Sequence, residues 1–408
     1  MGLAVTPLEQ ARHLMRPGTL QLAALPPLAL YVHLPWCLKK CPYCDFNSHE
    51  WQGGKSLPAD AAQAYLAALR ADLEAALPLI WGRPVISVFI GGGTPSLFDP
   101  SQIAELISDI RARLPLEPGC EITLEANPGT FERDRFRGFR QAGVTRLSIG
   151  VQSFNDEKLQ RLGRVHDASQ ALAAVQEAKA CFDTFNVDLM YALPEQSLDE
   201  LAAELDQLAQ LAPPHASLYH LTLEPNTRFA LEPPPVPNAD LASDMLDLLA
   251  ERTAREGWER YEVSAYARDG HRCQHNLNYW EFGDYLGVGA GAHSKISFPH
   301  RVLRQVRWRE PRQYQEQALA GAAVSNAHEV PRAELPFEFA MNALRLREGV
   351  PLTLFTERTG LPLSALASGR EMGLARGLLV DDPARFQASP RGYDFLNDLQ
   401  GYFLSKEA

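Results

Sequence analysis

Six short apolar runs rich in β-branched residues, separated by stretches with helical spacing, constrain this chain more than any other feature. The runs are Leu28 to Leu34, Val85 to Ile90, Glu121 to Glu125, Val144 to Ile149, Thr184 to Met190 and Ser217 to Leu223. Runs of this kind suit strands covered on both faces, as in a parallel sheet with crossover helices. Asp99 is placed to cap such a helix, with Pro100 in its first turn, and Ile103, Leu106, Ile107 and Ile110 share one face. The same spacing predicts helices over Ala61 to Ala76, Ala168 to Cys181 and Leu198 to Leu211. Six βα units build either a partly closed barrel or an open doubly wound sheet, and both architectures bind ligands beyond the carboxyl ends of the strands.

At 408 residues the chain has room for this domain and a smaller one. The expected organisation is an N-terminal lead over 1–27, the barrel with an extension over 28–300, a linker over 301–334 and a second domain over 335–408. After the sixth run, a helix is expected around Leu241 to Glu256 and a strand over Tyr261 to Tyr266. In the second domain the pattern predicts helices around Phe337 to Arg347, Thr353 to Thr359 and Leu363 to Ala375. A hairpin near Leu378 to Gln387 and a last helix from Pro390 follow, an order that is winged-helix-like. A winged helix invites a DNA-binding role, but from Glu334 onward eight Lys or Arg stand against ten Asp or Glu. Phosphate binding wants the reverse balance, and the net charge of -11 argues the same way, so no nucleic-acid partner is expected. Charged residues such as Glu9, Arg12 and Arg16 interrupt any secretory signal, and Pro26, Pro27 and Pro35 interrupt the most apolar early stretch. A cytoplasmic location with no transmembrane segment is the expectation.

Three of the six cysteines fall within eight residues, at Cys37, Cys41 and Cys44, directly after the first predicted strand. In a chain without a leader this pattern reads as reduced thiols. Soft thiolates at short spacing suit zinc or an iron-sulfur cluster. Structural zinc wants four ligands, and only His33 or His49 offers itself as a fourth. A three-thiolate [4Fe-4S] cluster instead leaves one iron open to a small molecule. After the second strand comes Gly91-Gly92-Gly93-Thr94-Pro95, where glycine lets backbone approach a ligand closely. Further polar residues sit at or beyond strand ends, at Glu125, Asn127, Gln152, Ser153 and Asp188.

The C-x3-C-x2-C spacing with Tyr43 resembles the radical S-adenosylmethionine (SAM) superfamily. That resemblance implies a partial (β/α)6 radical-SAM barrel with a small winged-helix-like C-terminal domain. It also implies a [4Fe-4S] cluster on Cys37, Cys41 and Cys44 whose open iron is chelated by the amino and carboxylate groups of SAM. By the same resemblance, Gly92, Gly93 and Thr94 hold the SAM amino group. Tyr31, Glu125, Gln152, Arg164 and Asp188 match positions that contact the rest of that cofactor.

Within the superfamily the chain resembles the oxygen-independent coproporphyrinogen III oxidase group over nearly its whole length. Authentic oxidases add a fourth cysteine two positions after the third, where this chain has Phe46. The heme chaperone branch of the group, HemW, instead carries H-N-x-x-Y-W, present here as His275-Asn276-Leu277-Asn278-Tyr279-Trp280. This resemblance implies heme as ligand, with His275 as an axial ligand; from the residues themselves, Cys273 in Cys-Gln-His reads as a buried thiol or a second heme contact, and His293, after Gly287, Gly289 and Gly291, is a further candidate. Its implied partner is an apo-hemoprotein acceptor, soluble or membrane-bound, and it is compatible with a homodimer. The alternative activity is that of the oxidase itself, in heme biosynthesis.

Overall fold

The computed structural model describes residues 20–53, 57–129 and 135–405. Most of the expected lead over 1–27 lies outside the described residues. A single twelve-stranded sheet dominates. Its strands are β1 (Leu28–Leu34), β2 (Val85–Gly92), β3 (Leu116–Ala126), β4 (Arg146–Gln152), β5 (Thr184–Tyr191), β6 (His215–His220), β7 (Glu259–Arg260), β8 (Ala265–Ala267), β9 (Asp284–Val288), β10 (His293–Phe298), β11 (Arg301–Arg307) and β12 (Val324–Glu329). Across the sheet their order is β12-β11-β10-β9-β1-β2-β3-β4-β5-β6-β8-β7.

β1 to β6 follow one another in chain order, each parallel to the next. A doubly wound sheet must reverse its order at some point; this one does not, which decides for the barrel-type winding. β9 adds a seventh parallel strand beside β1, and antiparallel strands extend both edges. Crossover helices Ala59–Ile80, Pro100–Arg113, Ala168–Cys181 and Leu198–Leu211 cover the outer face. That face carries Leu30, Val32, Ile90, Leu124, Leu147, Val187 and Ala216, all essentially inaccessible to solvent, so each strand reads as apolar on the outside.

The segment 301–334, expected as a linker, instead contributes β11, β12 and the helix Pro311–Leu319 to the large domain. Its strand character is masked by arginines at Arg301, Arg304 and Arg307, which would normally signal exposure. Here Arg307 is buried against Asp72 at 3.3 Å, and Arg304 pairs with Glu338 at 2.8 Å. The single strand expected over Tyr261 to Tyr266 is a β7–β8 pair with a turn between.

The C-terminal region is built from helices Leu335–Ala343, Thr353–Thr359, Ala367–Ala375, Pro390–Asp394 and Leu396–Gly401. The expected hairpin near Leu378 to Gln387 is reduced to one bridge, Leu379 with Ala388, and Arg385–Phe386 pairs with Val350–Pro351 instead. Phe339, Phe355, Phe386 and Phe403 form its core. That core takes in Leu20, Leu22, Tyr261 and Phe282, so the region is seated on the large domain. No helix among the described residues is long and apolar enough to cross a membrane.

Candidate cluster cavity and barrel lumen

Side chains alternate across a strand, so the residues opposite the outer apolar set face the concave side of the half-barrel. They are Tyr31 and His33 on β1, Phe89 on β2, Thr123 and Glu125 on β3, Ser148 on β4, Asn186 and Asp188 on β5, and Ser217 and Tyr219 on β6. They line a lumen of about 590 Å³. A second cavity of about 140 Å³ lies at the carboxyl ends of the strands and shares Gly92, Glu125, Ser148 and Asp188 with the lumen.

Cys37, Cys41 and Cys44 all line the smaller cavity. Thr94 Oγ1 donates toward Cys37 Sγ at 3.4 Å and accepts from Asn127 Nδ2 at 3.0 Å. Arg164 Nη2 donates to Asn127 Oδ1 at 2.6 Å and to Gly150 O at 2.7 Å, while its Nη1 lies 3.6 Å from Cys41 Sγ. A continuous hydrogen-bonded chain therefore runs from one thiol to another around the cavity wall. Burial pushes the Cys37 thiol up to about 11 and raises Cys44 as well, so a bound cation is what would make these sulfurs anionic near neutral pH. Neither ring nitrogen of His33 is free: Nδ1 meets the Tyr31 hydroxyl at 2.8 Å and Nε2 meets Asn47 O at 2.9 Å. His49 Nε2 is engaged with Asn47 Oδ1 at 3.2 Å. The donor set is three sulfurs without a ready fourth ligand, the set that fits a cluster with one open iron and not a closed zinc site.

The glycine segment acts mainly by shape. A Cβ on Gly93 would sit 2.6 Å from Trp36 O, and the Gly93 amide already donates to Leu34 O at 2.8 Å. Gly92 has φ 119, and its amide donates to Glu125 Oε2 at 2.9 Å. Burial, with the Asp188 charge adding to it, pushes the Glu125 carboxyl up to about 8. Burial likewise raises Asp188 to about 6, although Asn186 Nδ2 donates to its Oδ1 at 2.6 Å.

Of the residues expected from sequence, Gly92, Gly93, Thr94, Glu125, Asn127, Gln152, Arg164 and Asp188 all line the cavity with the three cysteines. Gln152 does so in a left-handed conformation, φ 69. Tyr31 does not: it lies on the lumen wall, stacked on Phe89 with centroids 5.8 Å apart. Ser153 turns away to hydrogen-bond Glu204.

His275 lines the lumen but not the cysteine cavity, and sits beside Glu121, which pairs with Arg146 at the start of β4. The segment from His271 to Trp280 closes the lumen there as a floor. Arg146, on β4, donates twice to His271 O, at 3.2 and 3.1 Å, and His271 Nδ1 meets Thr184 Oγ1 at 3.2 Å. The His275 ring stacks on Phe89, centroids 4.2 Å apart, and its Nδ1 lies 3.0 Å from Cys273 Sγ and 3.3 Å from Glu121 Oε1. At 7% exposure it is buried, and it lines the lumen. Burial lowers His275, which keeps the imidazole neutral. Burial alone would raise Glu121, but the His275 hydrogen bond and the Arg146 ion pair bring it down to about 2. His293 sits exposed at the rim of the lumen. Sequence reasoning missed Glu121, Arg146, Thr123, Asn186 and Ser217. Their signal was a polar residue at every second position within otherwise apolar strands.

The Radical SAM superfamily profile matches residues 31–208, and that of the HemN C-terminal domain matches 330–395. A solved structure of coproporphyrinogen III oxidase (HemN) from Escherichia coli superposes with a TM-score of 0.81 at 24% identity, covering 99% of this chain and 94% of that one. At that identity the likeness speaks for the fold. Heme chaperone HemW from Haemophilus influenzae is 46% identical over 94% of this chain and 99% of its own length. HemW from Escherichia coli is 45% identical over 94% and 100%. The mitochondrial radical S-adenosyl methionine domain-containing protein 1 of Mus musculus is 37% identical over 91% and 86%. Identity sustained end to end, on a three-cysteine cavity at the mouth of a half-barrel, places the chain in the HemW heme chaperone family of the radical SAM superfamily.

Proposed function

We propose that the chain binds heme in the barrel lumen and hands it to an apo-hemoprotein acceptor, while Cys37, Cys41 and Cys44 hold a [4Fe-4S] cluster with SAM at the strand ends. The observation that carries this reading is the lumen itself, a 590 Å³ space adjoining the cysteine cavity with the one motif histidine on its floor. Its volume falls in the range of about 300–1,000 Å³ usual for cofactor sites.

When bound, the cluster supplies a reducible iron beside the sulfonium of SAM. The chain's own residues set the geometry: Thr94 and Arg164 orient two of the sulfurs, and Gly92, Gly93, Glu125, Gln152 and Asp188 shape the space for the organic cofactor. Glu125 keeps its proton near neutral pH and so offers a donor as well as an acceptor toward that space. For heme, His275 would supply the nitrogen to the iron, and Phe89, Tyr31, Tyr279 and Tyr285 would give flat apolar walls to the macrocycle. Arg309, exposed at the rim, offers a cation to its carboxylates. We place this activity in the cytoplasm, with an acceptor that is soluble or membrane-bound.

Heme titration into the purified protein and the His275→Ala variant tests this directly. The variant is expected to bind at least tenfold more weakly, with a changed Soret band; equal affinity removes His275 from the site. Phe46, 61% exposed where the oxidases have a fourth cysteine, weighs against oxidase activity. Reconstituted protein given SAM, a reductant and coproporphyrinogen III is expected to form no protoporphyrinogen, and its formation would reassign the chain as an oxidase.

A further inference from the structure

The cysteine cavity and the lumen share five lining residues, and four of them, Gly92, Glu125, Ser148 and Asp188, belong to the strands. The fifth is Phe46, which comes from the cysteine loop and is the one apolar side chain at this junction. Phe46 also lines a third space, of about 390 Å³, beside the cysteine loop, whose walls include Lys40, Cys44, His49, Asn226 and Arg309. Among the described residues no other lines all three spaces. From this placement we infer that the Phe46 ring is the partition of the site: it screens the cysteine sulfurs from the lumen and from the outer pocket, and ligands in the two inner spaces meet across it.

A lone exposed aromatic is ordinary on a protein surface. Phe46, at 61% exposure, differs in how its backbone is held. Its carbonyl oxygen accepts from Lys40 Nζ at 3.2 Å and from the Ser48 amide at 2.7 Å. The next residue, Asn47, is pinned on two sides: its O meets His33 Nε2 at 2.9 Å, and its Nδ2 donates to Ala290 O at 2.9 Å and to Arg309 O at 2.8 Å. Those contacts tie the loop to β1 and to the segments just past β9 and β11, so the ring is carried into the junction on a fixed backbone. Apolar surface beside an iron-sulfur site limits the access of water, and with it reactivity and potential. Without the ring, the outer pocket would present mainly polar and charged side chains next to Cys44, whose sulfur already lies 3.4 Å from Ser48 Oγ. The inference rests on the reading of Cys37, Cys41 and Cys44 as cluster ligands and makes no use of heme.

For the test, full-length protein with the cluster reconstituted anaerobically, and without SAM or heme, is moved into air-saturated buffer. Loss of the cluster's visible absorbance is followed for the parent, Phe46→Ala and Phe46→Tyr. Phe46→Ala is expected to bleach at least about threefold faster, while Phe46→Tyr, which keeps the ring, stays near the parental rate. Cluster-free protein gives a second readout: the rate at which monobromobimane alkylates Cys37, Cys41 and Cys44, resolved from the other cysteines by peptide mass spectrometry. The same order of rates is expected there. A smaller rise for Phe46→Ala in either measurement, or a Phe46→Tyr variant as fast as Phe46→Ala, overturns the inference. Should the parent take up no stoichiometric iron and sulfide, the cluster reading fails by itself, and the alkylation rates alone decide on the partition.

Discussion

Glu125 shows how much one side chain can report about this site. It is the inward residue of β3 shared by both cavities, held by the Gly92 amide and within reach of the Asp188 charge. Burial and the Asp188 charge carry its pKa from the ordinary 4.5 to about 8. Between those values the folded chain keeps a proton that the unfolded chain has released. The stability this proton contributes is therefore complete below about pH 4.5 and is lost as pH rises through 8. Glu125→Gln keeps an acceptor for Gly92 and removes the titration. In cluster-free protein the variant is expected to be more stable than the parent at about pH 9, by on the order of a few kcal/mol, and to show a flatter decline from pH 5 upward. Denaturant unfolding across that range is the measurement, and parallel curves would mean that Glu125 titrates normally. Such residues were legible before the fold was seen, because an acid at a strand end in an apolar run is conspicuous. Glu121 and Arg146 show only as polar residues alternating with apolar ones along their strands; that they form a 3.4 Å pair across neighbouring strands is not written in either segment alone.

At the scale of elements, local signals located the helices closely. Ala168–Cys181, Leu198–Leu211 and Thr353–Thr359 begin and end where the sequence pattern placed them. Ser197 shows why: its Oγ accepts from the Glu200 amide at 3.2 Å while Glu200 Oε2 accepts from the Ser197 amide at 2.8 Å, a reciprocal cap visible as S-x-x-E in sequence. Ser197→Ala is expected to cost about 1 kcal/mol in urea unfolding while leaving iron and sulfide content at parental levels. A drop in cluster loading would show that this helix bears on the cavity, which its position on the outer face argues against. The strands behaved differently. β1 to β6 announced themselves through apolar runs, whereas β11 was hidden by its arginines, two of which, Arg304 and Arg307, find their partners in distant segments, and β7 and β8 are too short to show a period. Sheet order, too, was open, because six βα units are equally compatible with two windings until the pairings are seen.

The whole molecule is organised around a tube with two differently guarded ends. At one end the cysteine loop closes over the strand carboxyl termini; at the other, the floor segment His271 to Trp280 is held from inside by Glu121 and Arg146 and from outside by the C-terminal region. Phe282, just past the floor helix, packs edge-on against Phe339 at 5.7 Å, and Arg345 lies over the Trp280 ring at 4.2 Å. Phe339 itself is fully buried and also touches Phe355 and Phe386, so it ties the C-terminal core to the floor. The C-terminal region thus buttresses the end of the lumen that carries His275. Phe339→Ala should cost about 3–5 kcal/mol of stability in the C-terminal core. Hydrogen exchange should rise first in residues 271–282, and heme affinity should fall while cluster content holds. Were exchange to rise around the cysteine loop instead, the tube would be coupled end to end and the C-terminal region could not be acting on the floor alone.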